Sequence, residues 1–264
     1  MRIPQENIQN RFFENIYRQT IEETPRFNRY SLERGRKILE STEECIQYLV
    51  VYGGMHYHKL IAAFQSTQFA NIAGRNVEII DWGSGIATAS CILIDYLIGS
   101  GIDVNIERIT LIEPSIYATD YGCELLVNIF QNNADTNEII RVINKSINDV
   151  KCEDIETEPE NIKVHLFSNI VDVQGIELNH LYNLAVSCFH ETNRIICTSP
   201  KNDHEDRVRL DEFYKLFSSN WDLKYNRETS ADIIAEDFRI NTWSFEERPI
   251  KRYEKQFTIS LPSI

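Results

Sequence analysis

The sequence predicts an α/β protein: a mostly parallel sheet with helices on both faces, preceded by a helical extension. Three observations carry this expectation. From residue 76 onward, short β-rich apolar runs alternate with helical ones, the pattern of a sheet wound by crossover helices. Before that point the apolar spacing is helical throughout. Between the two regions the run VEIIDWGSGIATAS, residues 77–90, joins an apolar strand to a glycine turn and a helix former. The chain therefore divides at 1–75, a helical extension or lid, and 76–264, the sheet domain.

In the extension, Ile8, Phe12, Phe13, Ile16, Tyr17 and Ile21 recur at the interval that places them on one face of a helix, and Pro25 stops it. A second helical stretch starts near Ser31. Ser41 and Glu44 have capping-box spacing ahead of Cys45, Ile46, Leu49 and Val50. Gly53 and Gly54 are expected to break that run, with a further helix over 55–73 that carries Leu60, Ile61 and Phe64 and ends at Gly74. Strands are expected over 77–81, 108–113, 139–144, 163–168 and 194–198. Two more, 221–227 and 255–261, separated by a long irregular segment, suit an antiparallel pair at a sheet edge. The acidic segment 151–161, with Pro159 inside it, reads as an exposed connection.

Composition narrows the class. The 264 residues suffice for one large domain with an extension, and 42% hydrophobic with 25% charged residues is ordinary for a soluble globular chain. No run of roughly 18 apolar residues is present to span a bilayer, and the first ten residues lack the apolar core of a secretory signal, so a cytoplasmic protein with no membrane partner is expected. The six cysteines, Cys45, Cys91, Cys123, Cys152, Cys188 and Cys197, show no CxxC pair and no zinc-finger spacing, which predicts reduced thiols and no metal. A net charge of −13 gives no steering toward free nucleic acid. The basic cluster Arg26, Arg29, Arg34, Arg36 and Lys37 reads as a solvated helix face or as a local patch.

The glycine run carries the chemistry. Gly83 and Gly85 permit positive φ and let backbone approach a ligand, Asp81 supplies a carboxylate at the strand end, and the next helix offers free N–H groups. In the second βα unit the strand RITLIE ends at Glu113, whose carboxylate can accept both hydroxyls of a ribose; Pro114 then turns the chain to a helix capped by Ser115. A nucleoside would sit across the two strand ends. A dinucleotide enzyme also uses a glycine turn, but its third glycine would fall at position 88, which is Thr.

Asp81, Gly83, Gly85 and Ala87 fill the acidic-x-Gly-x-Gly motif with a following small residue, and Glu113 matches the acidic residue closing the second strand. In these positions the chain resembles the class I S-adenosylmethionine-dependent methyltransferases over 76–264. The resemblance implies a Rossmann-like seven-stranded sheet with a reversed last strand. It also implies S-adenosylmethionine as cofactor, with Asp81 near its methionine end, Glu113 on the ribose, and Ser146 and Ile147 near the adenine. That family usually has an acidic residue near Ser146, where the nearest here is Asp149. The candidate cofactor set is thus Asp81, Gly83, Ser84, Gly85, Glu113, Pro114, Ser146, Ile147 and Ser168. The segments YGGMHYHK, DWGSGIAT, LIEPS and FSNIVD are also distantly similar to ribosome-associated Rsm-type methyltransferase-like proteins, without the cysteine cluster that some of those carry.

The acceptor side is less defined. After the fourth strand, HLFSNIVDVQGIEL offers Ser168, Asn169 and Asp172 at a strand end; Asp172 is a candidate base, and Asn169 a candidate catalytic residue. Alternatively Ser168 and Asn169 cap the next helix with Asp172 in its first turn. The Asn/Asp-Pro-Pro-aromatic motif of amino methyltransferases is absent, since Ile170 and Val171 follow Asn169. Cys197 lacks the Pro-Cys that accompanies a cysteine nucleophile in RNA cytosine-C5 enzymes. In YGGMHYHKL, His56 and His58 are two apart and so point to different sides of a helix; His56 is a further catalytic candidate, or a satisfied core histidine. The expected function is methyl transfer from S-adenosylmethionine to a small molecule or protein rather than to free nucleic acid. The alternative is a non-catalytic S-adenosylmethionine-binding or interaction protein of the same fold.

Overall fold

The computed structural model describes residues 12–28, 32, 37–130, 136–199 and 204–263. Ile8, Ser31, Arg29, Arg34 and Arg36 lie outside them. Helix α1 (Phe12–Glu23) buries Phe13, Tyr17 and Ile21 at the expected spacing. Helix α2 (Thr42–Ser66) begins at Ser41, whose hydroxyl accepts from Glu44 N at 3.2 Å. The reciprocal half of the capping box is displaced by one residue, for the Glu44 carboxylate takes the Glu40 N–H at 2.8 Å.

Helix α2 runs straight through Gly53 and Gly54, correcting the expected break. The two glycines are there for contact. A Cβ on Gly54 would lie 2.5 Å from Asp237 Oδ1 and 2.8 Å from Tyr17 Oη, and one on Gly53 would lie 2.9 Å from the Tyr17 ring. Tertiary packing thus overrides their low helix propensity. The helix ends at Ser66 rather than near residue 73. A 3-10 turn follows (Phe69–Ile72), and Gly74, at φ +75°, leads into the sheet.

The strands β1 (Asn76–Trp82), β2 (Asn105–Ile112), β3 (Ile140–Ile143), β4 (Ile162–Ser168) and β5 (Glu191–Ser199) all run parallel. They are connected through α3 (Thr88–Gly99), α4 (Ile116–Ile129), the single turn α5 (Thr136–Ile139) and α6 (Leu178–Ser187). After α7 (His204–Ser218) come β6 (Lys224–Arg239) and β7 (Ser244–Leu261), and the sheet order is β3-β2-β1-β4-β5-β7-β6. Only β7 is reversed, paired antiparallel with both β5 and β6. The segment expected to be irregular between the last two strands is therefore a long hairpin.

Side chains alternate across the sheet. Val77, Ile79, Ile109, Leu111, Val164 and Leu166 join one apolar cluster with α1 to α4. Ile80, Trp82, Ile112, Phe167, Ile195 and Cys197 join the other with α6 and α7. The helical extension and the sheet thus share one core. The segment 151–161 is largely exposed, as expected, but one expectation about it changes. Cys152 is disulfide-bonded to Cys188 at the end of α6, so these two are not free thiols. The segment is also anchored from inside: buried Glu78 accepts from Glu158 N at 2.8 Å and Asn161 Nδ2 at 3.1 Å. Among the described residues no helix is long and apolar enough to cross a membrane.

Candidate functional site

The register places the carboxyl ends of β1, β2 and β4 side by side, with Trp82 opposite Ile112 and Asp81 opposite Leu166. In a parallel sheet this edge collects the loops that bind ligands. The first loop is the glycine turn, with φ +62° at Gly83, +51° at Gly85 and +55° at Ala87. Gly85 has open space where a Cβ would lie, as a close ligand approach requires. Gly83 serves a different neighbour: a Cβ there would come within 2.4 Å of Ile170 Cδ1, so the segment after β4 packs onto the turn. Gly122 of α4 has the same function from the other side, since its Cβ would lie 2.9 Å from that of Ala87.

The acidic residues divide their work. Asp81 is buried and turned to α3, where its Oδ2 accepts from Ser90 Oγ at 2.8 Å and Ser90 N at 3.2 Å. Burial raises its pKa to about 6, against the lowering by those two bonds. Glu113 stands just past β2 and is half-buried, with Oε2 accepting from Gly85 N at 3.2 Å and Oε1 from Ser115 N at 3.1 Å. Burial holds its pKa above the usual carboxylate value. Each oxygen keeps lone-pair capacity for a ligand hydroxyl. Ser84 Oγ, on the same turn, is buried and has no hydrogen-bond partner among the described residues. Pro114 and Ser115 turn the chain into α4, and Ser115 Oγ caps it through Ala118 N at 3.0 Å. Past β3, Ser146 is exposed and Ile147 buried, at the start of a 3-10 turn (Ile147–Asp149). Asn148 ties that turn to Gly175 O and Glu177 N.

The residues after β4 do not cap a helix. α6 starts only at Leu178, and Asp172 lies in a turn well before it. Instead Asn169, at φ +55°, reaches α2: its Nδ2 donates to His56 Nδ1 at 2.8 Å and to Ser168 Oγ at 3.3 Å, and its Oδ1 accepts from Lys59. Asp172 and Glu254, both buried, act electrostatically on Lys59. Burial lowers the pKa of Lys59 to about 8 and that of His56 to about 3, where the Lys59 charge adds to the effect. Tyr48 and Tyr52 precede His56 at four-residue steps, with ring centroids 5.0 Å apart for the tyrosines and 6.2 and 6.3 Å from each to His56. His58 points elsewhere, to Glu236 O at 2.7 Å.

The sequence offers Ser168, Asn169 and Asp172 as one segment and His56 apart from it, and the structure joins His56 to Asn169 and Ser168, with Asp172 acting on the adjoining Lys59. Lys59 is the residue that sequence reasoning missed. The signal was present, because Lys59 sits three residues beyond His56 on the same helix, but a lysine in a polar run reads as solvated.

No family model matches the sequence, and no curated protein matches it. Solved structures similar to it include precorrin-6y C5,15-methyltransferase from Geobacter metallireducens, at 11% identity over 75% of this chain and 86% of that one, TM-score 0.48. Another is an rRNA methylase from Streptococcus thermophilus, at 9% identity over 77% of this chain and 97% of that one, TM-score 0.41. A third is M. jannaschii TYW2 in complex with AdoMet, at 13% identity over 75% of each chain, TM-score 0.40. At such identities the likeness concerns the fold alone. The fold class rests on the strand order itself: among the described residues, seven strands with β7 reversed between β5 and β6, covered by helices on both faces, make this a Rossmann-like, methyltransferase-like α/β fold.

Proposed function

We propose that the chain binds S-adenosylmethionine at the ends of β1 and β2 and transfers its methyl group to an acceptor at the end of β4. The observation that carries this reading is the junction of Glu113 with Gly85: the strand-end carboxylate and the glycine turn meet at one point, as a nucleoside site needs. The unpartnered hydroxyl of Ser84 fits the same use, since a buried polar atom without a partner is costly unless a ligand meets it.

In this reading Glu113 holds the ribose, Gly85 and Ser84 line the approach, and Pro114, Ser146, Ile147 and Ser168 border it. Asp81, anchored to Ser90 through Oδ2, stands at the methionine end of the cofactor. When bound, S-adenosylmethionine supplies an electrophilic methyl group on a sulfonium. The chain's own task is to align a nucleophile with it and, where that nucleophile must lose a proton, to accept the proton. Asp172 is the carboxylate for that step. The acceptor is a small molecule or a protein group, given the −13 net charge.

Isothermal titration of S-adenosylmethionine and S-adenosylhomocysteine tests the reading. Glu113→Ala should weaken binding about tenfold or more, the scale of hydrogen bonds to a charged group. Affinity equal to that of the unaltered chain would refute the assignment. A second reading, a non-catalytic cofactor-binding protein, is favoured by one observation: Asn169, the polar side chain best placed for an acceptor, is already engaged by Lys59 and His56. Incubation with labelled S-adenosylmethionine and a cell lysate separates the two, because only the enzyme forms S-adenosylhomocysteine.

A further inference from the structure

Lys59 has no part in the function as proposed, yet the residue is 1% exposed and its ammonium meets Asn169, just past the carboxyl end of β4. An ammonium has donors and no acceptor, so the Asn169 atom facing it must be Oδ1. That turns Asn169 Nδ2 toward His56 Nδ1 at 2.8 Å. An amide nitrogen also only donates, and Nδ1 must therefore be the bare nitrogen of the ring. The hydrogen of the neutral imidazole is then on Nε2, the side facing Tyr48 Oη at 3.4 Å. Donor counting thus fixes both the orientation of the Asn169 amide and the tautomer of the His56 ring.

We infer that Lys59 is a positioning residue for the acceptor side: through Asn169 it holds His56 in the Nε2–H form, with that hydrogen directed at Tyr48 Oη and the ring lone pair taken up by Asn169, so that His56 does not serve as a base. The inference rests on the reading that the acceptor lies at the end of β4. Three features support it. The cation and the amide come from elements 110 residues apart, and Asn169 holds the left-handed conformation needed to reach α2. Asp172 and Glu254 favour the charged form of Lys59. The imidazole remains neutral because it is buried, with a cation beside it. The proton of an acidic nucleophile is thereby left to Asp172.

Nitrogen NMR of histidine-labelled protein at pH 7, recorded without cofactor, tests this independently of whether S-adenosylmethionine binds. The His56 ring should show a single tautomer with hydrogen on Nε2. In Lys59→Met the amide of Asn169 is released, and that single pattern should be lost; Lys59→Arg, also a pure donor, should restore it. Asn169→Asp replaces the donor by an acceptor and should move the hydrogen to Nδ1, which decides the matter if Lys59→Met does not fold. Hydrogen on Nδ1 in the unaltered protein, or an unchanged tautomer in a folded Lys59→Met or in Asn169→Asp, would overturn the inference.

Discussion

Glu113 Oε2 accepts the backbone N–H of Gly85 at 3.2 Å, which ties the end of β2 to the turn that follows β1. The second oxygen takes Ser115 N–H at 3.1 Å, so one carboxylate sets both the glycine turn and the entry to α4. Such a residue is pre-organised before any ligand arrives, which reduces the ordering cost of binding.

Ser84 distinguishes a ligand contact from a structural one. Its hydroxyl is buried and unpartnered, so Ser84→Ala should leave thermal stability equal or raise it by about 1 kcal/mol. The same change should weaken S-adenosylmethionine binding about fivefold, a loss near 1 kcal/mol. Parallel thermal melts and titrations read both quantities. A destabilised variant of unchanged affinity would assign the hydroxyl to the fold.

Gly54 provides a test of sign. Helix propensity alone predicts that Gly54→Ala stabilises α2 by about 1 kcal/mol. The structure predicts the opposite, a loss of about 1–3 kcal/mol, because the new methyl would meet Asp237 Oδ1 and the Tyr17 hydroxyl inside contact distance. Urea unfolding decides between them, and a gain in stability would mean that α1 and β6 do not press on α2 as described.

Two buried histidines set the acid limb of stability. His165 accepts from Trp82 Nε1 at 3.2 Å and donates to Asn193 Oδ1 at 3.0 Å, and burial lowers its pKa to about 4; that of His56 falls to about 3. Below pH 6.5 the unfolded chain gains protons that the folded one refuses, so stability falls as pH falls. Asp81 acts in the opposite sense: its folded pKa of about 6 lies above the unfolded value of 3.8, which adds stability as pH falls through that range. Glu113, also raised, adds to Asp81. The histidines prevail, with a net loss on the order of 2–3 kcal/mol between about pH 6.5 and pH 4.5. Urea unfolding at those two values should show it, and a chain that gains stability on acidification would contradict neutral histidines in the core.

The parallel strands and the glycine turn were legible because their signals are local. Residues 77–81 fall inside β1, and the positive φ at Gly83 and Gly85 is what a glycine pair after an apolar strand predicts. The middle of the β6–β7 hairpin was not legible. TSADIIAEDF and FEERPIKRYEK carry charge on both faces, because β6 is the sheet edge and much of the hairpin is exposed, so no period-two pattern marks them. Gly53 and Gly54 misled for a related reason: a glycine that breaks a helix and one that admits a neighbour are identical in sequence.

By itself the sequence determined the fold class, the glycine turn with its two strand-end carboxylates and the polar residue types that follow β4, all of which follow from spacing within a few residues of chain. Only the tertiary structure decided that Lys59 and His56 of α2 meet Asn169 after β4, more than a hundred residues away, and that Asp81 turns to Ser90 while Glu113 takes the turn. The reason is physical. Backbone preference and amphipathic period are written along the chain, whereas burial, hydrogen-bond partner and protonation state depend on what another element places alongside.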